Sequence, residues 1–395
     1  MVDGLCVALT ITRKKLGNIL TTSLPKVLIL DLSEGYGGAS ARVLTLMQKY
    51  PSEKMALAAL QDSPVSNYAL NKDLPVFIVG KKKYDIRIFF NLVRIIRLQG
   101  FDVLDVQNIQ SKFWGSLAAS AVKVALVSTL NSWYLNEHEK TGMKGKIYSA
   151  VELLTNWADI HYIVVSRDIY NSLCKVGINP NQISLIYNAI DINDIQFRTK
   201  QYDIKSKLNI PLDSIICIAL GRLVWAKGYK SLIEAFAIIK DKMHNLFCII
   251  VGGGELQHVL SEQITRNNLL DRVVLYGYSD HETALSILKA CDIFVMPSRT
   301  EGTPIALLEA AALGVPIVAT NVGGIPELVT TQEALLVPPD NPAALASSLM
   351  KLAEDRNFAK ELSEHARFRV NELFSADQQL DATLNAYHSA LSQNY

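Results

Sequence analysis

Short apolar segments rich in β-branched residues alternate along this chain with longer segments of helical period, and the alternation begins again after a polar interruption. This pattern is typical of βαβ units around a parallel sheet, because a parallel crossover needs about a dozen residues or more and is usually a helix. The interruption, residues 197–207 before Pro211, predicts a connector. A chain of 395 residues also exceeds one ordinary core, so we expect two domains of nearly equal size.

The apolar runs predict a series of strands in each domain. In the first domain they are residues 27–30, 55–60, 76–79, 103–106, 124–129 and 162–165, and in the second they are residues 215–220, 247–251, 273–276, 293–296, 315–319 and 334–337. The predicted fold class is therefore α/β, with two doubly wound, Rossmann-like parallel-sheet domains facing a central cleft. We assign residues 1–196 and 197–375 to these domains and residues 376–395 to a C-terminal helix that packs back on the first domain.

Charge and cysteine content exclude several classes of protein. A net charge of +1 carries no overall signature of nucleic-acid binding. The five cysteines are odd in number and lack C-x-x-C spacing, which argues against a disulfide framework or a zinc site. These features predict a protein of the reducing cytoplasm that needs no metal.

Hydropathy points to a membrane surface rather than to a membrane span. The apolar segment at residues 5–11 is far shorter than the ~20 residues that a spanning helix requires. We interpret the first two dozen residues as a loose extension. The mean hydropathy of +0.17 is high for a soluble enzyme, which favours contact with the inner face of a membrane or with a lipid-linked substrate.

Glycines follow the first predicted strand, where ligands of open α/β sheets bind. Gly37 and Gly38 lie at the turn into a helix, so the backbone can approach a ligand closely and free N–H groups can meet an anion. A tight turn without a ligand is the alternative interpretation. The spacing is not G-x-G-x-x-G, which disfavours a dinucleotide site.

Positive charges accompany the corresponding turn of the second domain. Gly221 and Arg222 follow the strand at residues 215–220, and Lys227 and Gly228 come a few residues later. A guanidinium fork and an ammonium group beside a turn match the spread negative charge of a diphosphate. A solvated surface loop is the alternative.

The loop after the strand at residues 293–296 combines acidic residues with a helix start. Thr303 is predicted as the N-cap and Pro304 as the first residue of a helix that continues over 305–313. Glu301 precedes this helix and Glu309 lies in its second turn, so the two carboxylates are expected to meet different parts of one ligand. One suits a sugar and the other a ribose, because carboxylates accept pairs of hydroxyl hydrogens.

Several motifs follow one another along the second half of the chain in a specific order. They are Gly221-Arg222-Leu223, Lys227-Gly228, Gly252-Gly253-Gly254-Glu255, the E-x7-E pair Glu301 and Glu309, and Gly323-Gly324-Ile325-Pro326-Glu327. In this order they resemble the retaining glycosyltransferases of the GT-B fold, in particular family four. The resemblance runs from about Pro25 to the C-terminus and is strongest over residues 215–329.

The resemblance implies roles for individual residues. Arg222 and Lys227 would hold the distal phosphate of a nucleotide-diphosphate sugar, while Glu301 would bind the sugar and Glu309 the ribose. The implied catalytic residues are Glu301, Arg222, Lys227 and Asn131, and the implied donor-binding residues are Gly37, Gly38, Arg222, Lys227, Glu301, Gly302, Thr303, Pro304, Ile305 and Glu309.

The acceptor side departs from the family pattern. Asn131 stands where relatives usually carry a histidine, and it can donate a hydrogen bond but cannot act as an acid or base. Asp105 and Gln107 follow the predicted strand at Val103, where relatives often place histidines. His138 is nearby, although a loop histidine is commonly just solvated. Ala189 replaces the glycine of an N-G-I-D turn near the hinge.

A basic amphipathic helix is predicted after Lys81, Lys82 and Lys83. Arginines at 87, 94 and 97 lie on one side, and the aliphatic residues at 88, 92, 95 and 96 lie on the other. This face suits anionic lipid headgroups or an acceptor diphosphate. A solvated polar face is the alternative.

These features together predict a retaining hexosyltransferase. It would move a hexose-type sugar from a nucleotide donor to a saccharide or lipid-linked acceptor in glycan, capsule or cell-envelope polysaccharide synthesis, without a metal or other cofactor. A catalytically silent nucleotide-sugar-binding protein is one alternative, and an NAD-dependent dehydrogenase is another.

Overall fold

The computed structural model describes residues 24–131 and 160–393. The predicted N-terminal extension, His138 and the last two residues of the predicted C-terminal helix lie outside the described residues. The architecture of the described part confirms the predicted α/β class.

The first domain is built on a seven-stranded parallel sheet with the strand order β3-β2-β1-β4-β5-β6-β7. Its strands are β1 (Val27–Asp31), β2 (Met55–Leu60), β3 (Val76–Gly80), β4 (Val103–Val106), β5 (Ala125–Leu130), β6 (Ile160–Val164) and β7 (Ile183–Leu185). The helices between them are α1 (Gly38–Lys49), α2 (Pro64–Asn71), α3 (Arg87–Gln99), α4 (Ile109–Val122) and α5 (Arg167–Lys175). The strand order reverses between β1 and β4, which places a ligand crevice at their carboxyl ends.

The second domain repeats this arrangement with six parallel strands in the order β10-β9-β8-β11-β12-β13. The strands are β8 (Ile215–Leu220), β9 (Leu246–Val251), β10 (Val273–Gly277), β11 (Ile293–Met296), β12 (Ile317–Thr320) and β13 (Leu335–Val337). The helices are α8 (Tyr229–Ile239), α9 (Gln257–Arg266), α10 (His281–Lys289), α11 (Ile305–Ala312), α12 (Ile325–Leu328), α13 (Pro342–Glu354) and α14 (Arg356–Leu373).

The central strands of both sheets are apolar on both faces. In β1, β2 and β9 every residue is buried, as expected where helices cover both sides of a parallel sheet. Each sheet consequently has two apolar layers, one on each face. The carboxyl ends of the strands, and the loops that follow them, are left to form the facing surfaces.

The predicted polar connector, residues 197–207, contains the short helix α7 (Ile204–Lys207) and the last two residues of another, α6 (Ile192–Arg198). Each begins at an aspartate that accepts a hydrogen bond from a backbone N–H of its first turn, Asp191 for α6 and Asp203 for α7. Ile195 and Ile204 are buried in the core of the second domain. The polar residues therefore cover helices that belong to that domain's packing.

The chain crosses between the domains at two adjacent places. Ile190 forms an isolated parallel bridge with Ser375, and its N–H donates to the carbonyl oxygen of Phe374 at 3.1 Å. The amide of Ala376 returns a hydrogen bond to the Ile190 carbonyl at 3.0 Å. The two crossings are therefore joined to each other by backbone hydrogen bonds.

The C-terminal helix α15 (Ala376–Gln393) lies on the first domain. Leu384, Ala386, Tyr387 and Ala390 are buried in the core formed by β1, β2 and α1. The Tyr387 hydroxyl donates to the Asp105 carboxylate at 2.8 Å. The end of the chain thus helps to complete the domain with which the chain begins.

Candidate functional site

The turn after β8 is the first part of the candidate site. Gly228 has φ of 65°, and a Cβ at this position would lie 1.9 Å from the Pro297 carbonyl oxygen. Only glycine therefore allows this turn to pack against the end of β11. This packing brings the neighbouring Lys227 against the loop that carries Glu301.

Lys227 and Glu301 form the central ion pair of the site. The Lys227 ammonium lies 2.6 Å from Glu301 Oε1, and the Ser298 hydroxyl donates to the same oxygen at 2.6 Å. The side chains are 22% and 9% exposed, respectively. Glu301 Oε2 accepts no hydrogen bond from the described residues, so it is free to accept one from a ligand hydroxyl.

Arg222 lies in the same turn, immediately after Gly221. Its side chain is exposed and makes no ion pair with any residue in the described ranges. The amide of the next residue, Leu223, donates to the Gly253 carbonyl at 3.0 Å, so the glycine run after β9 supports this turn. An exposed guanidinium beside a held ammonium group provides two cationic contacts for an anion.

The predicted N-cap at Thr303 is wrong. Helix α11 begins at Ile305 after an extended Pro304, and no side chain caps it. The Thr303 hydroxyl instead donates to the Val165 carbonyl of the first domain. The Asn188 side-chain amide donates to the Thr303 carbonyl at 2.8 Å. Thr303 therefore connects the domains, because a partner across the cleft competes with the helix terminus for its hydroxyl.

Gly302 is another point at which the two domains come into close contact. A Cβ at this position would lie 2.4 Å from the Asn131 carbonyl oxygen and 2.9 Å from Val165 Cγ2. The described residues thus adopt a closed arrangement in which the acidic loop contacts the end of β5. A side chain of any size at position 302 would obstruct this arrangement.

Glu309 lies in α11, one helical turn after the first residue of the helix. Its Oε1 lies 2.6 Å from His281 Nε2, at the start of α10. Burial lowers the pKa of His281, but the charge of Glu309 and their hydrogen bond outweigh it, so the pKa lies above its ordinary value. The pairing occupies one carboxylate oxygen. The spacing of the motif singled out Glu309 but contained no signal for His281.

The glycine turn of the first domain lies opposite α11. A Cβ on Gly38 would lie 3.9 Å from the Ile305 side chain, whereas one on Gly37 would meet nothing within 4 Å. Gly37 therefore borders open space and Gly38 borders the second domain.

Asp31, at the end of β1, holds this turn in place. Its carboxylate accepts from the Ser33 amide at 2.9 Å and from the Asn108 side-chain amide at 3.0 Å, and it contacts Ser40. Burial raises its pKa, although these hydrogen bonds oppose the effect. Sequence reasoning missed this role, and a carboxylate ending an otherwise apolar strand is the signal that could have found it.

Asp105 lies in the region where the sequence predicts the acceptor, but its environment differs from that of a cleft residue. This residue lies within β4, inside the predicted strand at residues 103–106, and Thr129 and Tyr387 each donate to its carboxylate at 2.8 Å. Burial raises its pKa to about 6, against the lowering effect of these hydrogen bonds. Because its carboxylate is held by helix α15, Asp105 supports the domain and does not replace a cleft histidine.

Asn131 remains a candidate for contact with a substrate. Its side-chain oxygen and nitrogen are shielded from solvent and find no hydrogen-bond partner in the described ranges. The Oε1 atom of the buried Gln107 is also without a partner there. Unpaired polar atoms inside a protein are costly unless something else satisfies them.

Neither metals nor membrane spans find support in the described ranges. Residues 24–131 and 160–393 contain no group of three or more histidine, cysteine, aspartate or glutamate side chains placed to hold a metal. No helix in those ranges has the length and apolar character needed to cross a bilayer.

Two doubly wound domains that close over a cationic turn and an acidic loop define a glycosyltransferase of the GT-B fold. The solved structure of Anabaena HepE in complex with UDP and glucose has the same fold, with a TM-score of 0.78 at 20% identity over 91% of this chain and 98% of that one. The family model described as Glycosyl transferases group 1 matches residues 200–369, and the model described as Glycosyltransferase Family 4 matches residues 36–194. The chain belongs to this family of glycosyltransferases.

Two relatives align over most of their length. An uncharacterized glycosyltransferase of Methanocaldococcus jannaschii, MJ1607, is 26% identical, with 75% of this chain and 77% of the relative covered. The UDP-Gal:alpha-D-GlcNAc-diphosphoundecaprenol alpha-1,3-galactosyltransferase of Escherichia coli is 24% identical, with 77% and 79% covered.

Proposed function

We propose that this chain is a retaining hexosyltransferase that moves a sugar from a nucleotide-diphosphate donor, preferentially a UDP-sugar, to a saccharide or lipid-linked acceptor in polysaccharide synthesis. The observation that carries the proposal is the Lys227–Glu301 pair, 2.6 Å apart, formed by the turn that also carries the exposed Arg222. A carboxylate for sugar hydroxyls thereby lies next to cations for a diphosphate. The E. coli relative named for UDP-Gal and the HepE structure with UDP support the choice of donor.

The donor would lie across the facing loops. Arg222 and Lys227 would bind the diphosphate, and Glu301 Oε2 with the Gly302 and Thr303 backbone would bind the sugar. Glu309 would accept a ribose hydroxyl through the oxygen that His281 leaves free. Pro304 and Ile305 would line the donor's path beside the glycine turn at Gly37 and Gly38.

In the proposed reaction, the acceptor hydroxyl attacks the anomeric carbon on the face that the diphosphate leaves. The bond from this carbon to the phosphate oxygen breaks, the new glycosidic bond forms, and the acceptor's proton passes to the departing phosphate. Arg222 and Lys227 would stabilise the leaving charge, a contribution of roughly 3 kcal/mol for each well-placed donor in a closed site. This electrostatic role would remove the need for a metal, and Asn131 would position a hydroxyl rather than accept a proton.

A panel of UDP-, GDP- and ADP-sugars tests the donor assignment. We expect UDP-sugars to raise the melting temperature, because a ligand that binds the folded state and not the unfolded state stabilises the protein. We also expect the protein to hydrolyse UDP-sugars slowly when no acceptor is present. Thermal shift and release of free UDP are the measurements. Binding without any turnover would instead favour a silent sugar-nucleotide-binding protein.

A separate surface supports a location at the membrane. Helix α3 contains no acidic residue, and Arg94 is exposed on it beside Phe90, which is 63% exposed. Tyr84 and Ile86, just before the helix, are also exposed, with Lys81 and Lys82 next to them. Exposed apolar side chains among cations match the interface of an anionic bilayer. We propose that this surface binds the membrane that carries a lipid-linked acceptor.

Vesicle sedimentation tests this surface. The double variant Phe90→Ser with Arg94→Glu is expected to lose binding to phosphatidylglycerol vesicles by about tenfold or more, because it removes a cation worth about 1 kcal/mol and an apolar anchor. The control is Phe368→Ser with Arg367→Glu, which alters an equally exposed pair in the second domain, where Phe368 is 69% exposed. Equal binding by both variants would contradict the assignment.

A further inference from the structure

Glu327 reaches from the second domain to a helix of the first. The backbone N–H of Arg167, the first residue of α5, donates to both carboxylate oxygens of Glu327, at 2.9 and 3.1 Å. The hydroxyl of Tyr187, in the segment between the domains, donates to Glu327 Oε2 at 2.8 Å. The glutamate side chain is only 14% exposed. An acidic group from one domain therefore interacts with a helix N-terminus of the other.

This contact is electrostatically favourable. The first N–H groups of a helix lack intrahelical partners, and the helix dipole places partial positive charge there. The N-cap residue of α5, Ser166, already satisfies the amide of Ile169. Glu327 satisfies the amide of Arg167, which the helix itself leaves open. Hydrogen bonds to a charged acceptor are also stronger than those between neutral groups.

The segment that ends at Glu327 also supports the loop that carries Glu301. A Cβ on Gly323 would lie 1.9 Å from the Glu301 carbonyl oxygen, and one on Gly324 would lie 2.1 Å from the Gly302 carbonyl oxygen. The Gly324 amide donates to the Glu301 carbonyl at 3.2 Å. One short turn therefore contacts the donor-side loop at its beginning and the opposite domain at its end.

Arg369 keeps this turn in position. Its guanidinium donates to the Leu328 carbonyl at 2.7 Å and to the Glu327 carbonyl at 3.3 Å. The side chain of Glu327 thus projects from a fixed backbone. When the domains separate, the carboxylate loses its partner on α5 while its own backbone stays in place.

We propose that Glu327 is a positioning residue that couples closure of the two domains to the placement of the donor-side loop. It acts as a latch: its bonds to Arg167 and Tyr187 stabilise the closed arrangement in which Glu301 and Gly302 meet the first domain. The link to catalysis rests on the proposed transferase function, whereas the link to closure does not.

The test compares Glu327→Gln and Tyr187→Phe with the wild-type chain. Glutamine keeps the size but removes the charge, and phenylalanine keeps the ring, which packs against Phe374 at 5.7 Å. We expect the radius of gyration from small-angle X-ray scattering without ligand to increase. We also expect Kd for UDP and KM for a UDP-sugar to rise about tenfold in Glu327→Gln, with kcat changed less than about twofold, because saturating donor restores closure.

Glu333→Gln is the matched control. Glu333 accepts from the Thr330 amide and hydroxyl, both at 2.7 Å, but these contacts lie within the second domain. The Glu333→Gln variant should have the same scattering and the same affinity for UDP as the wild type, even if its melting temperature is lower. Wild-type scattering and UDP affinity in Glu327→Gln, or equal changes in the control, would overturn the latch. If no UDP-sugar is turned over by the wild type but Glu327→Gln still alters scattering, the latch stands and the proposed transferase function fails.

Discussion

Replacing Lys227 or Glu301 by alanine is expected to lower turnover by more than about 100-fold, the order typical of losing a contact made in the transition state. Without Lys227 the leaving diphosphate loses a cation, and the Glu301 carboxylate, only 9% exposed, loses its partner at 2.6 Å. Without Glu301 the sugar loses an acceptor for its hydroxyls. The measurement is the steady-state rate of UDP release from the donor that the panel identifies.

Lys240→Ala is the control for Lys227→Ala. Lys240 lies in the same domain, and its ammonium donates to the Asn267 carbonyl at 2.9 Å, away from the loops that form the site. It should leave turnover within about twofold of wild type, as for most substitutions outside a site. Near-normal rates in both Lys227→Ala and Glu301→Ala would defeat the site assignment, whatever the control shows.

Gly302→Ala is expected to have an equally large effect for a different reason. The added Cβ would lie 2.4 Å from the Asn131 carbonyl oxygen, a backbone atom that cannot move aside without opening the domains. Chemistry that requires a closed, water-free cleft should then fall by more than about 100-fold. Both domains should still fold, because the obstruction exists only between them. Turnover and thermal unfolding measured on the same preparation separate the two effects.

Gly253→Ala provides a matched control in the same domain. A Cβ there would come no closer than 3.8 Å to another atom, the Cβ of Tyr278, and neither glycine has a positive φ. The two substitutions therefore add the same methyl group with and without a collision. If both variants turn over donor at the same rate, closure at Gly302 is not part of catalysis.

The regular elements of the fold could largely be predicted from local pattern. The predicted strands at residues 55–60, 103–106, 215–220 and 293–296 agree with the observed bounds, and the others differ by one or two residues at one end or at both ends. Two kinds of element were missed. Strand β7 (Ile183–Leu185) has only three residues and a serine at its centre, so no apolar run marks it, whereas the equally short β13 is wholly apolar. Helices α6 and α7 lie in a polar stretch whose few apolar residues pack on the second domain.

The candidate site was predicted unevenly. Glu301 and Lys227 could be placed together because turns after neighbouring parallel strands share one edge of a sheet. His281 could not be paired with Glu309 in the same way, since nothing local to a helix start indicates which carboxylate it will meet. Asp105 was assigned to the wrong environment, because its partner Tyr387 is 282 residues further along the chain.

By itself, the sequence determined the α/β class, the division into two domains and the order of the glycine, cationic and acidic motifs, since these depend on periodicity and turn chemistry within a few residues. Tertiary structure alone decided that Thr303 serves Val165 rather than a helix terminus, that Gly302 touches Asn131, and that Glu327 caps a helix 160 residues away. Such contacts depend on how two separately folded domains meet. Their partners are brought together by packing and not by proximity along the chain.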